Sequence, residues 1–231
     1  MHIAQGRVDE TYINGWRAAR IDCPSALIPA PGQYLLAQAL NQANAPIPAP
    51  VYLAASSPKG FYAANPYPVA WHPGTTLALK GPLGHGFSMP PAARKVLLAS
   101  WSQSPGRVLA LLEACRRQKA EIVWISATPL EQIPLSVEIL PPAALPQAAQ
   151  WADYAALDIP HSQLGQTFTN PLWLDAQPFL AGYAQIFLET PVSCGGIAEC
   201  GVCAVRAQQG LRLACKDGPV FNLSEIVNVP R

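Results

Sequence analysis

The first 88 residues alternate short apolar runs with Pro and Gly turns. Gln33-Tyr34-Leu35-Leu36-Ala37, Val51-Tyr52-Leu53-Ala54 and Thr76-Leu77-Ala78-Leu79-Lys80 are each of strand length, and the breaks between them are those of a small antiparallel barrel or sandwich. The pattern changes near Met89-Pro90-Pro91. Lys95-Val96-Leu97-Leu98-Ala99 is a continuous apolar run that predicts a buried strand, and a polar turn from Ser100 to Gly106 follows it. Val108 to Arg117 then has helical spacing and ends in basic residues, which suit the negative end of a helix dipole. Glu121-Ile122-Val123-Trp124-Ile125-Ser126 predicts a second strand. Strand, helix and strand at this separation predict a βαβ unit with parallel strands. Further strands are predicted at 136–140, 154–159 and 185–189. From Thr190 the apolar pattern gives way to a segment rich in Cys and Gly.

Composition narrows the class. Apolar residues make up 50% of the 231 and charged ones 13%, so most of the chain must pack, and a weakly charged surface suits a protein that buries surface against a partner. The formal net charge is +1 with no block of Lys or Arg, which argues against a nucleic-acid groove or an anionic membrane face. The 25 prolines are scattered through connections, so they predict stiff turns and not a disordered tract. The N-terminus has no charged-then-apolar leader pattern, and no apolar run reaches the roughly 20 residues that span a bilayer. A cytoplasmic, reducing location is therefore expected, where six cysteines are not read as structural disulfides.

Four of those cysteines cluster. Five residues separate Cys194 from Cys200, two separate Cys200 from Cys203, and eleven separate Cys203 from Cys215. Thiolates at such spacing can wrap an iron–sulfur cluster, with three close together and a fourth returning from later in the chain. Gly195, Gly196 and Gly201 would let the loop turn tightly and aim N–H groups at sulfur. Structural zinc remains open, although zinc ribbons use two Cys-x-x-Cys knuckles and only Cys200 and Cys203 form one here. A redox dithiol of Cys200 and Cys203, or four unrelated core cysteines, are the other readings. Cys115, inside the helical pattern, reads as a buried small apolar residue, and Cys23 stands apart from the cluster.

Several segments together resemble one family. Cys194 to Val205, followed by Leu213-Ala214-Cys215-Lys216-Asp217-Gly218-Pro219-Val220-Phe221, is similar to the C-terminus of the dihydroorotate dehydrogenase B electron-transfer subunit. Gly81-Pro82-Leu83-Gly84-His85-Gly86-Phe87 resembles that family's hinge between barrel and α/β domain. Pro31-Gly32-Gln33-Tyr34 resembles an early strand, and Phe187-Leu188-Glu189 the approach to the cluster. The resemblance implies an α/β protein with a β-barrel, of the ferredoxin-reductase-like kind. Residues 1–88 would form an FAD-binding-type barrel, 89–190 a reduced Rossmann-like, NAD-binding-like α/β domain, and 191–231 a [2Fe–2S] segment. Cys194, Cys200, Cys203 and Cys215 would be its ligands. It further implies an oxidoreductase subunit in pyrimidine biosynthesis, relaying electrons between an FMN-containing dihydroorotate dehydrogenase catalytic subunit, or a related flavoprotein, and NAD(H) through FAD.

The chain departs from that pattern at three places. Ala49-Pro50-Val51-Tyr52 stands where the family has Arg-Pro-apolar-Ser, so the Arg that pairs with flavin phosphates is missing. That loss removes about 1.5–3 kcal/mol of charge-assisted contact, which weakens FAD binding without forbidding it. Ser100-Trp101-Ser102-Gln103-Ser104 stands in place of a Gly-Gly-Gly-x-Gly run, and Leu157-Asp158-Ile159-Pro160 in place of a Cys-Gly-Pro. Both argue against NAD(H) binding. The five-residue first cysteine spacing is one longer than the family's. The rival expectation is a non-enzymatic interaction module that bears a cluster or zinc and has lost both nucleotides. No acid/base or nucleophilic constellation is found. His85 is read as an exposed turn residue, and Trp101, Trp124, Trp151 and Trp173 as packing or partner-contact residues.

Overall fold

The computed structural model describes residues 1–14, 16–40, 47–64, 67–102, 105–127, 136–180 and 182–226. Gln103 and Ser104 of the expected turn, and 227–231 of the third expected segment, lie outside the described residues.

Six strands close an antiparallel barrel: β1 (His2–Asn14), β2 (Trp16–Asp22), β3 (Tyr34–Ala39), β4 (Ala49–Ser57), β5 (Gly60–Ala64) and β6 (Thr76–Leu83), in the order β1-β2-β5-β4-β3-β6. Period-two alternation places their side chains. Leu35 and Ala37 of β3 and Val51 and Leu53 of β4 join the barrel's interior core with Phe61, Leu77 and Leu79. Their alternates, Tyr34, Leu36, Tyr52 and Ala54, point outward into a second core.

That second core is shared with a mostly parallel sheet. In chain order come β7 (Lys95–Ser100), α1 (Gly106–Leu109), α2 (Leu112–Arg117), β8 (Glu121–Ser126), β9 (Val137–Leu140), α3 (Leu145–Trp151), β10 (Tyr154–Pro160), α4 (Leu164–Thr169), α5 (Pro171–Leu180) and β11 (Ala184–Glu189). The sheet order is β14-β11-β10-β7-β8-β9, with β14 (Val220–Asn222) antiparallel to β11 and the other neighbours parallel. Being covered on both faces, β7 and β10 are buried over nearly their whole length, as their unbroken apolar runs predict. Leu97, Ala99, Leu157 and Ile159 face the core that holds the barrel's outward residues, while Val96, Leu98, Tyr154 and Ala156 face Val108, Leu111 and Cys115 on the other side. No helix among the described residues is long and apolar enough to cross a membrane.

The fold class matches expectation, with two differences in detail. The helix expected at 108–117 is two short pieces. Between them Leu111 N–H bonds to the Val108 carbonyl at 3.0 Å, a three-residue step that tightens the turn, before Cys115 N–H returns to the four-residue spacing on Leu111. The second difference is β14, a three-residue strand after the last cysteine that sews the C-terminal segment onto the sheet edge.

That segment also holds β12 (Ala204–Ala207) and β13 (Gly210–Leu213), a two-stranded hairpin, then α6 (Ala214–Asp217) and, after β14, α7 (Leu223–Ile226). The Gly81–Phe87 hinge clamps it. His85 N–H donates to the Gly218 carbonyl at 2.6 Å, the exposed His85 ring meets the Asp217 carbonyl through Nδ1 at 3.0 Å, and Gln33 Nε2 donates to the Gly84 carbonyl at 3.2 Å. Gly84 has φ +72°, and a Cβ there would meet the Gly218 oxygen at 2.5 Å. Only glycine allows hinge and cysteine segment to come this close.

Candidate metal centre and the crevice beside it

Glu189 ends β11, and the chain then turns through a loop in which Gly195, Gly196 and Gly201 have φ of +64°, +75° and +69°. Ala198 also takes a left-handed conformation, at φ +64°, without being glycine. The turn aims the N–H groups of Ala198, Glu199 and Cys200 at the Cys194 sulfur. Glu199 N–H bonds to the Cys194 thiol and, with the N–H groups of Cys200 and Ala198 and the Cys200 side chain, outweighs burial and pulls that thiol down to about 6. A site that lowers a thiol's pKa in this way favours thiolate, the form that binds metal.

The Cys215 thiol behaves in the opposite sense. Burial first, then the hydrogen bond with Cys203 and the proximity of Cys203 and Cys194, push it up to about 12, against a lowering contact from the Ala198 N–H. Ala198 N–H therefore reaches both Cys194 and Cys215. The structure brings the four predicted cysteines into one neighbourhood, Cys200 acting on the Cys194 thiol and Cys203 and Cys194 on the Cys215 thiol. Cys203 and Cys215 are buried, Cys194 is half-buried and Cys200 is exposed. None is in a disulfide. Among the described residues, no three His, Cys, Asp or Glu side chains group around a single ion position. Cys23 and Cys115 lie outside the cluster. Burial pushes each of their thiols up to about 11, as suits inert cysteines, and Cys115 is fully buried in the sheet–helix core.

Tyr34 of β3 anchors this segment to the barrel. Its hydroxyl donates to the Cys215 carbonyl at 2.8 Å, and a Cβ on Gly196 would meet the same hydroxyl at 2.9 Å. Burial, then the thiols of Cys215, Cys203 and Cys194 together with Tyr52, raise its pKa. Tyr34→Phe leaves that buried carbonyl without its donor and is expected to lower stability by about 1–3 kcal/mol. Chemical denaturation would show it as a lower midpoint at unchanged slope, and an unchanged midpoint would mean that the bond does not hold the segment.

Away from the cysteines lies a charged cluster that the sequence reading did not single out. Arg107, from the first turn of α1, is completely buried, as is Asp158 of β10. Arg107 Nε and Nη2 donate to Asp158 at 3.1 and 3.2 Å, and Nη2 also donates to Glu189 at 2.8 Å and to the Ser102 hydroxyl at 2.7 Å. The guanidinium lies 4.8 Å from the Phe187 ring centroid and 5.7 Å from that of Tyr52. Burial would lower the Arg107 pKa, but the charges of Asp158 and Glu189 raise it. Burial pushes the Asp158 carboxyl up to about 6 against the pull of Arg107, so it is ionised at neutral pH. A signal for this cluster was present: Asp158 interrupts an otherwise apolar strand, and a charge buried there requires a partner. Trp101 donates its backbone N–H to the Asp158 carbonyl at 2.9 Å, and its ring packs edge-on to Trp173 at 5.8 Å. Trp124 and Trp173 are likewise buried in packing.

Residues 189–227 match the family described as the iron–sulfur cluster binding domain of dihydroorotate dehydrogenase B. No match was found among curated proteins. Among solved structures, the chain is similar to one described in work on flavin-based electron bifurcation by an NADH-dependent reduced ferredoxin-NADP oxidoreductase. That likeness has a TM-score of 0.69 at 16% identity and covers 97% of this chain and 90% of that one. A ferredoxin reductase in carbazole 1,9a-dioxygenase matches at TM-score 0.55 and 18% identity, over 78% of this chain and 63% of that one. A cytochrome P450 reductase from Amycolatopsis matches at 0.57 and 12%, over 81% and 71%.

Proposed function

We propose that this chain, whose residues 189–227 match the iron–sulfur cluster binding domain of dihydroorotate dehydrogenase B and whose fold is ferredoxin-reductase-like, is an electron-transfer subunit with a [2Fe–2S] cluster on Cys194, Cys200, Cys203 and Cys215. The observation that carries this reading is the convergence of the four thiols within the matched segment. A centre of two irons would take two thiolates on each, with Cys194 and Cys200 on one and Cys203 and Cys215 on the other. A single structural zinc would call for four sulfurs around one point. A bound cluster of this kind supplies one-electron chemistry.

The chain's own residues set the conditions for it. The N–H groups of Ala198, Glu199 and Cys200 favour negative charge on sulfur, and burial of Cys203 and Cys215 keeps water from one side. Exposed Cys200 marks the side open to a partner. Ile197 and Val202, on either side of it in sequence, are 57% and 53% exposed, an apolar rim suited to protein docking. The partner proposed is an FMN-containing dihydroorotate dehydrogenase catalytic subunit or a related flavoprotein, in the cytoplasm.

An anaerobic reductive titration tests the reading. The purified protein should bleach in the visible on taking up one electron per chain, and the reduced form should give a spin-one-half EPR signal that integrates to one per chain. A protein with no reducible chromophore would refute it.

A further inference from the structure

The strand order of the parallel sheet turns around at one place. β8 and β9 continue it on one side of β7, and β10 and β11 on the other. In open α/β sheets, ligands bind outside the carboxyl ends of the strands at such a point, because the flanking connections diverge there and leave a crevice. In this chain the strand ends at that point carry side chains that meet one another. Ser100 closes β7 opposite Asp158, which stands two residues before the end of β10, and Glu189 ends β11. Arg107 crosses from α1 to join them.

We propose that Arg107, locked to Asp158 and Glu189, fills the crevice that this topology otherwise leaves for a nucleotide, so that the barrel and sheet form a closed scaffold that accepts no hydride from a nicotinamide and holds no flavin between them. Three observations carry this. The guanidinium and the Asp158 carboxylate have no exposed surface, so the point they occupy at the carboxyl ends of β7 and β10 is already filled. The local charge is wrong for a pyrophosphate: two carboxylates surround one guanidinium, whose Nε and Nη2 donors are directed at Asp158, Glu189 and Ser102. A dinucleotide phosphate would meet net negative charge, and to swing Arg107 out would strand Asp158 unpaired in the interior.

The third observation comes from the barrel side. Tyr52, last residue of Ala49-Pro50-Val51-Tyr52, has its ring covered by the same group. Phe187 packs edge-on to it, with centroids 5.1 Å apart and planes at 86°, and Arg107 lies 5.7 Å from its centroid. Tyr52 is 3% exposed and Ala49 carries no charge, so that motif offers neither an open stacking face nor a phosphate partner. One arginine thus occupies the junction that a flavin and a nicotinamide would have to share. The proposal concerns the crevice alone and stands or falls separately from the identity of the metal.

Equilibrium dialysis of the full, anaerobically purified holoprotein against FAD, FMN, NADH and NADPH tests it, together with crystals soaked in NADH or FAD. No saturable retention of any of the four is expected at concentrations up to about millimolar, where ordinary cofactor sites are filled. The soaked crystals should keep the Arg107 guanidinium on Asp158 and Glu189. Saturable retention of any one, or nucleotide density at the β7–β10 edge with Arg107 displaced, overturns the proposal.

Discussion

Arg107→Ala is expected to lose about 3–5 kcal/mol of unfolding free energy at neutral pH. The loss arises from what stays behind. Asp158 is fully buried and ionised at neutral pH, and without Arg107 it keeps its desolvation penalty while losing two charge-assisted hydrogen bonds. Glu189, 31% exposed, can turn towards water and contributes less. Arg107→Met combined with Asp158→Leu should recover most of the stability, since an apolar pair of similar volume can replace a buried ion pair at little net change. Denaturant midpoints of the three proteins give the order directly: wild type and double variant close together, single variant far below. The Arg107→Ala protein should also be stabilised by added methylguanidinium, which fits the vacated space, and the wild type should not. A single variant within about 1 kcal/mol of wild type would mean that Asp158 is reached by solvent.

Replacement of Cys200 by Ser should abolish iron retention, even though Cys200 is the exposed member of the four and its removal perturbs packing least. Thiolate is the ligand the cluster needs, and a serine hydroxyl at neutral pH does not replace it. Cys203→Ser should fail more severely, because the sulfur lost is also a buried part of the core shared by barrel, sheet and C-terminal segment. Cys23→Ser provides the control. That thiol lies outside the cluster and burial holds it neutral, so iron content should match wild type. Iron assay of the three proteins distinguishes ligands from bystanders, and full iron content in Cys200→Ser would remove it from the ligand set.

Much of the architecture was legible in the chain because its strands carry periods that burial dictates. β7 and β10 read as unbroken apolar runs since both faces are covered, and the barrel strands read through their turns. β1, β2 and β5 were not read. The apolar positions of β1 and β2 are diluted by charged residues such as Arg7, Asp9, Glu10 and Arg20, which a barrel exterior tolerates, and β5 has only five residues, two of them alanine. The helices α3, α4 and α5 were missed for a different reason: each carries or follows a proline, and Pro178 lies inside α5, so local punctuation masked helical spacing that tertiary packing enforces.

The cysteines were legible as a set because spacing is a one-dimensional property. Their convergence was not, for it depends on the left-handed turn at Ala198 and on the return of Cys215 from α6. The Arg107 network was legible only as a lone Asp in an apolar strand. Its partner comes from 51 residues away, a separation that no local pattern spans.

Metal and sulfide content of anaerobically purified protein tests the central claim most directly. Two irons and two acid-labile sulfides per chain are predicted, with zinc near zero. One zinc per chain, with neither iron nor sulfide, would contradict it.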